Sequence, residues 1–199
     1  MPTEDHQIKI VDVETLSDDW YTLKKYSFDF RRKNGEWQRQ TREVYHSGNG
    51  ATVLLYNRLQ RTVVLTRQFR LPAYLNGVAD GMLIETPAGL LEDQAPADRI
   101  RHEIEEETGY EVDQVTKVFE AYMTPGAVAE RAFFFVAEYQ PDKRKDAGGG
   151  VAAEGEDIEV LELPFDKACE MMEKGEIIDC KTIMLLQYAA LNLFGKSGT

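Results

Sequence analysis

Positive charge, cysteine and long apolar runs are all scarce in this chain, and each shortage removes a class of function. Lys and Arg total 23 against 35 Asp and Glu, for a formal net charge of −12 at pH 7. Nucleic acids are held by surplus Lys and Arg that neutralise phosphates, so no DNA or RNA partner is expected. Small phosphorylated molecules stay open, because a metal ion and a few arginines reverse the field locally. No stretch approaches the roughly 20 apolar residues that span a bilayer, which argues against a membrane partner. The opening MPTEDHQIKI has neither the basic start nor the apolar run of a secretory signal, and a cytoplasmic location is expected. Cys169 and Cys180 are the two cysteines, without CxxC spacing, and a reducing compartment keeps them as structural thiols.

What the chain has is enough apolar material, 43% over 199 residues, for one full core and a small accessory domain. Alternating character predicts strands over 8–14, 21–31 and 36–45, with Asn34-Gly35 as the hairpin signal between the last two. Three strands bury little by themselves, so this segment is expected to pack on the main domain or on a second subunit. The boundary falls near 47–50, dividing a β-rich accessory domain, 1–47, from a main domain, 48–199. Further strands are expected at 51–56, 62–70, 82–85, 117–122, 132–139 and 158–163, with helices over 165–174 and 181–194. Strands punctuated by a few helices, with no internal repeat, suggest an α/β sandwich.

The run Arg101-His102-Glu103-Ile104-Glu105-Glu106-Glu107-Thr108-Gly109-Tyr110 concentrates four carboxylates before a glycine that stops a helix. Helical spacing turns Glu103, Glu106 and Glu107 to one face and Glu105 away, while Ala97, Ile100 and Ile104 form an apolar stripe beside them. Pro96 suits an early helical position. Like charges on one face repel, and a bound cation removes the conflict; hard carboxylates suit Mg²⁺. The plainer alternative is a solvated acidic face.

The stretch from Ala88 to Tyr110, AGLLEDQAPADRIRHEIEEETGY, resembles the Nudix box, G-x5-E-x7-R-E-U-x-E-E-x-G-U with U aliphatic or aromatic. The match holds at Glu103, Ile104, Glu106, Glu107, Gly109 and Tyr110; Ala88 stands at the box glycine, Gln94 at the first glutamate and His102 at the arginine. This variant box is similar to that of one branch, the GDP-mannose pyrophosphatases. The likeness to that branch extends through GNGATVLLYN from Gly48, VVLTRQFR from Val63, EAYMTPGAV from Glu120 and EDIEVLELPF from Glu156.

The resemblance implies a Nudix α/β/α sandwich with a mixed sheet, plus a small N-terminal antiparallel β domain exchanged within a homodimer. It implies Mg²⁺, with Mn²⁺ as a possible substitute, held by Glu103, Glu107, the Ala88 carbonyl and a loop glutamate, Glu156, with Glu154 as the alternative. Glu106 joins the catalytic set, and Glu106 or a loop glutamate would accept the proton of the attacking water. Substrate contacts are implied at Trp20, Arg42, Glu43, Arg70, Ala88, Gly89, Leu90, Glu130 and Lys181. Bland roles compete: a surface salt bridge for Arg70, a cross-strand ion pair for Arg42 and Glu43, packing for Trp20, solvated charge for Glu130 and Lys181. The loop 142–155, with Gly148-Gly149-Gly150, reads as a lid over the metals.

The implied activity is metal-assisted hydrolysis of a nucleotide sugar's diphosphate, GDP-mannose giving GMP and mannose 1-phosphate. ADP-ribose hydrolysis is the rival within the class. A catalytically inactive nucleotide-binding module and a structural or Ca²⁺-binding acidic helix are the rivals outside it.

Overall fold

The computed structural model describes residues 7–195, apart from the side chain of Glu154. The chain divides into two compact units, the described part of Met1–Asn49 with Tyr122–Arg131, and Gly50–Ala121 with the described part of Ala132–Thr199.

In the first unit β1 (Ile8–Asp18), β2 (Thr22–Arg31) and β3 (Trp37–His46) form an antiparallel meander. The β2–β3 ladder runs unbroken from Thr22↔His46 to Arg31↔Trp37, and the turn is closed by Gly35 N–H donating to the Arg32 carbonyl at 2.9 Å. Strand β1 slips register between Ile10 and Asp12 and again between Thr15 and Ser17, which interrupts its alternation. None of the three strands buries a residue, and β1 exposes Ile8, Ile10, Val11, Val13 and Leu16. Tyr122–Arg131 joins this unit through Tyr45, whose N–H donates to the Ala127 carbonyl and whose carbonyl accepts from Ala129, both at 2.8 Å.

The second unit holds a mixed sheet built from β4 (Gly50–Asn57), β5 (Thr62–Phe69), β6 (Met82–Glu85), β7 (Ala88–Leu90), β8 (Thr116–Tyr122), β9 (Arg131–Glu138) and β10 (Glu159–Pro164). Its backbone order is β10-β5-β4-β9-β8, with β9 parallel to β4. Strands β4 and β5 pair only from Leu55 to Asn57; beyond that they diverge, β7 pairing with the start of β4 and β6 with the end of β5. The turn Thr86-Pro87 between β6 and β7 therefore crosses the mouth of the split.

Alternation along β4 sorts the two faces. Ala51, Val53 and Leu55 meet Ile100 and Ile104 of α2 (Pro96–Thr108) in a core shared with Phe135, Ala137 and Tyr139. Thr52 points the other way, bonding Thr86 Oγ1, which in turn faces Thr182 of α4 (Cys180–Asn192). Phe134 continues that second face, reaching Tyr188 of α4 through Phe119. Helix α3 (Phe165–Glu173) packs on β10 and β5. The result is the expected α/β/α sandwich. Among the elements not expected are α1 (Leu71–Leu75), a five-residue turn with proline in its first positions, and β7, three residues long. Both are too short for a hydrophobic period to register.

Candidate active site

Helix α2 starts at Pro96 and stops at Gly109, whose φ of 73° suits a left-handed cap and whose N–H donates to the Glu105 carbonyl at 2.9 Å. With Ile100 and Ile104 driven into the core, Glu103 and Glu107 on the adjoining stripe are buried too, 5% and 1% exposed. Glu105 and Glu106 remain exposed. Gly89 of β7 lies directly against Glu103: a Cβ there would stand 1.5 Å from Glu103 Oε1, so only glycine admits this approach.

The repulsion expected on this face is partly answered by the helix itself. Arg99 places Nη2 2.5 Å from Glu103 Oε1 and Nη1 3.3 Å from Glu106 Oε2, while Nε donates to the Leu90 carbonyl at 3.2 Å. One guanidinium thus ties two box glutamates to β7. Arg101 pairs instead with Asp98, and His102 is exposed.

Glu107 has no such partner. Its Oε2 is buried without a hydrogen bond among the described residues. Burial pushes its carboxyl well above the usual range, and the negative charges of Glu103 and Glu156 push it further, against a smaller pull from Arg70. Glu156 accepts from Val151 N–H at 2.8 Å. The glycine run of the loop 142–155 is anchored at its base, since Gly149 and Gly150 donate to the Glu107 and Glu106 carbonyls at 2.9 and 3.0 Å. These bonds satisfy carbonyls left open at the end of α2.

Beside Glu107 stands a second, opposite arrangement. Glu85, at the end of β6 and 2% exposed, accepts from Arg70 Nε at 2.8 Å and Nη2 at 3.0 Å, and from Lys181 Nζ at 2.5 Å. Burial raises its carboxyl and the two cations lower it; the cations win, and its net shift is downward. Lys181 also lies 3.0 Å from Asp179 Oδ1, while Asp179 Oδ2 caps α4 by accepting from Thr182 N–H at 3.0 Å.

The remaining candidates Trp20, Arg42, Glu43 and Glu130 belong to the first unit. Trp20 is 83% exposed and meets Tyr21 edge-on. Arg42 donates to the Thr41 carbonyl and to Gln40, and the β2–β3 register sets it opposite Tyr26 and Glu43 opposite Lys25.

The family profile described as the NUDIX domain matches residues 46–182, and one described as the GDP-mannose pyrophosphatase NudK N-terminal domain matches residues 7–45. The chain belongs to the Nudix hydrolases. Among the relatives of this Nudix chain, a protein from Pectobacterium atrosepticum named GDP-mannose pyrophosphatase is 59% identical, covering 92% of this chain and 94% of its own. Proteins of the same name from Yersinia pestis and Salmonella arizonae are each 54% identical, the first covering 97% of this chain and 96% of its own, the second 91% and 94%.

Nudix hydrolases act on a pyrophosphate bond and use divalent metal ions. The residues here fit such an ion: Glu107 offers a buried oxygen without a bond, Gly89 leaves room at Glu103, and the charges of Glu103 and Glu156 bear on Glu107. Among the described residues no three acidic, imidazole or thiol groups already enclose a cation position, and Arg99 occupies one Glu103 oxygen. Sequence reading missed two residues of this site. Arg99 carried a signal in its spacing to Glu103 and Glu106; Glu85 carried none.

Proposed function

We propose that the protein hydrolyses the diphosphate bond of a nucleotide sugar in a Mg²⁺-dependent reaction, with GDP-mannose as substrate and GMP and mannose 1-phosphate as products. The observation that carries the reading is Glu107: a fully buried carboxylate with a bare oxygen, flanked by further acids, is a costly arrangement unless a cation completes it. The choice of GDP-mannose rests on the relatives' name. Glu103, Glu107, Glu156 and the Ala88 carbonyl would hold Mg²⁺, or Mn²⁺ in its place, and the ion when bound supplies Lewis acidity to the diphosphate. Arg70 and Lys181 bind phosphoryl oxygens, with Gly89 and Leu90 lining the approach, and offset charge that grows on them during attack. Glu106 and Glu156 are the acids available to take the water's proton.

Trp20, Arg42, Glu43 and Glu130 are assigned to nucleotide recognition. In this reading residues 1–47 serve as an accessory domain exchanged between two subunits, and 48–199 as the catalytic domain. Support for the dimer comes from β1, whose apolar side chains stay exposed, and from an open groove of about 650 Å³ lined by Ile8, Ile10, Phe28, Val44 and Pro125. Sedimentation as a monomer at micromolar concentration would refute it. A cytoplasmic setting accompanies the reading, since Cys169 and Cys180 are both free thiols.

The test is incubation of the purified protein with Mg²⁺ and a panel of nucleotide sugars and ADP-ribose, with chromatography of the products beside a Glu107→Gln control. GMP from GDP-mannose supports the proposal. Preference for ADP-ribose would retain the chemistry and change the specificity; nucleotide binding without turnover would make the protein a binding module.

A further inference from the structure

Two cations that repel each other are held together in this fold by one buried acid. Arg70 follows β5, Lys181 opens α4, and the two are far apart in sequence, yet both bond Glu85 Oε2, at 3.0 and 2.5 Å. Sharing that oxygen keeps their nitrogens within about 5.5 Å of one another. Glu85 grips the guanidinium along its Nε–Nη2 side, and Nη1 has no partner among the described residues. The outer fork of Arg70 is therefore available to an anion, and its side chain is 41% exposed while Glu85 beneath it is 2% exposed.

We propose that Glu85 is a positioning residue: it presets Arg70 and Lys181 as a two-cation cradle for adjacent phosphoryl groups of the substrate. The inference rests on the proposed diphosphate chemistry but deepens it, because it assigns the cradle's shape to a residue that touches no substrate atom. Geometry supports a dedicated mount over a chance ion pair. The N–H of Thr86, next to Glu85, donates to Thr182 Oγ1 at 2.7 Å, and Thr182 Oγ1 donates to Asp179 Oδ2 at 2.6 Å. Asp179 in turn steadies Lys181. The strand carrying the acid and the helix carrying the lysine are thus locked through a buried threonine pair. A carboxylate held by two cations keeps its charge in the interior, so the mount is present before any ligand arrives.

The experiment is GDP binding by titration calorimetry in EDTA, where no hydrolysis occurs, with thermal midpoints measured in parallel. Glu85→Gln keeps the side chain's size and removes its charge, and is expected to weaken GDP binding about 10-fold. In a background carrying both Arg70→Gln and Lys181→Gln the same change should add less than about 2-fold, since Glu85 acts through those two cations. Should the glutamine variant not fold, Glu85→Asp carries the test: one methylene shorter, it reaches only one cation and should weaken binding about 3-fold. Unchanged GDP affinity with a lowered midpoint would overturn the proposal and leave Glu85 a staple between β6 and α4. Wild-type protein that fails to bind GDP without metal would overturn it as well, because a preset cradle needs no ion. Wild-type protein that binds GDP but hydrolyses no nucleotide sugar would refute the activity proposed above and leave the role of Glu85 standing.

Discussion

Glu85 and Glu107 are two glutamates of one compact unit, 2% and 1% exposed, and they have opposite fates. Glu85 is met by two cations that keep its carboxyl below its ordinary range; Glu107 has a bare oxygen and acids for neighbours, and its carboxyl is driven up. Burial is common to both, so it does not decide what a carboxylate is for. Partners do. An acid that is already neutralised can hold other groups in place, whereas an acid left unmet marks where a cation from outside is wanted.

The largest effect that would break this comparison is at Glu107. Glu107→Gln is expected to lower kcat by on the order of 10³-fold, read in a Mg²⁺-supported hydrolysis assay. The same variant should be more stable than wild type without metal at high pH. The sign follows from the raised folded value: the protonated form stabilises the native state, and that contribution is lost as pH rises through it, whereas glutamine does not titrate. A lower metal-free melting midpoint for the variant in alkaline buffer would mean that Glu107 is satisfied after all.

Gly89→Ala comes next, because its Cβ would collide with Glu103 Oε1. Displacing that carboxylate by about an ångström should cost about 10²-fold in kcat/KM, with the fold intact by circular dichroism. An alanine variant of full activity would remove Glu103 from the reacting centre.

At Glu85 the expected loss is of stability, about 1–3 kcal/mol at neutral pH for Glu85→Gln, measured by urea unfolding. Its folded value lies below the ordinary glutamate value, so its contribution is complete above the unfolded value and is lost as pH falls through the folded one. The variant should therefore show a flatter acid limb than wild type. Parallel acid limbs would show that Arg70 and Lys181 do not hold the carboxylate charged.

The smallest effect is expected at Arg99. Arg99→Gln releases Glu103 and Glu106 from a shared guanidinium and should lower kcat/KM about 10-fold, as loss of a supporting contact does. No change would make Arg99 a neutraliser of helix charge and nothing more.

Much of this was legible from local pattern. Pro96, the Ile100/Ile104 stripe and Gly109 bounded α2 and oriented it, and the runs now seen as β2, β4, β5 and β6 showed strand character within a residue or so. The α/β class followed from the same periods, and the antiparallel N-terminal sheet is what the resemblance implied. The acid face reads from its spacing as like charges that repel, and Arg99, four positions before Glu103, compensates part of that repulsion. The loop 142–155 shows in the sequence as a glycine-rich lid, and what the sequence does not show is that its Gly149 and Gly150 N–H groups close the end of α2.

By itself the sequence determined the sandwich, the course of α2 and the concentration of acid along it, because those depend on residues a few positions apart. Only the tertiary structure decided which acids are buried and which are met. Glu85 finds Arg70 at 15 residues' distance and Lys181 at 96, and Tyr122–Arg131 joins strands from the other end of the chain. No local period encodes such meetings. Those at Glu85 arise where β4 and β5 diverge and the chain between β6 and β7 crosses the opening, and there the low dielectric makes each missing or present partner count.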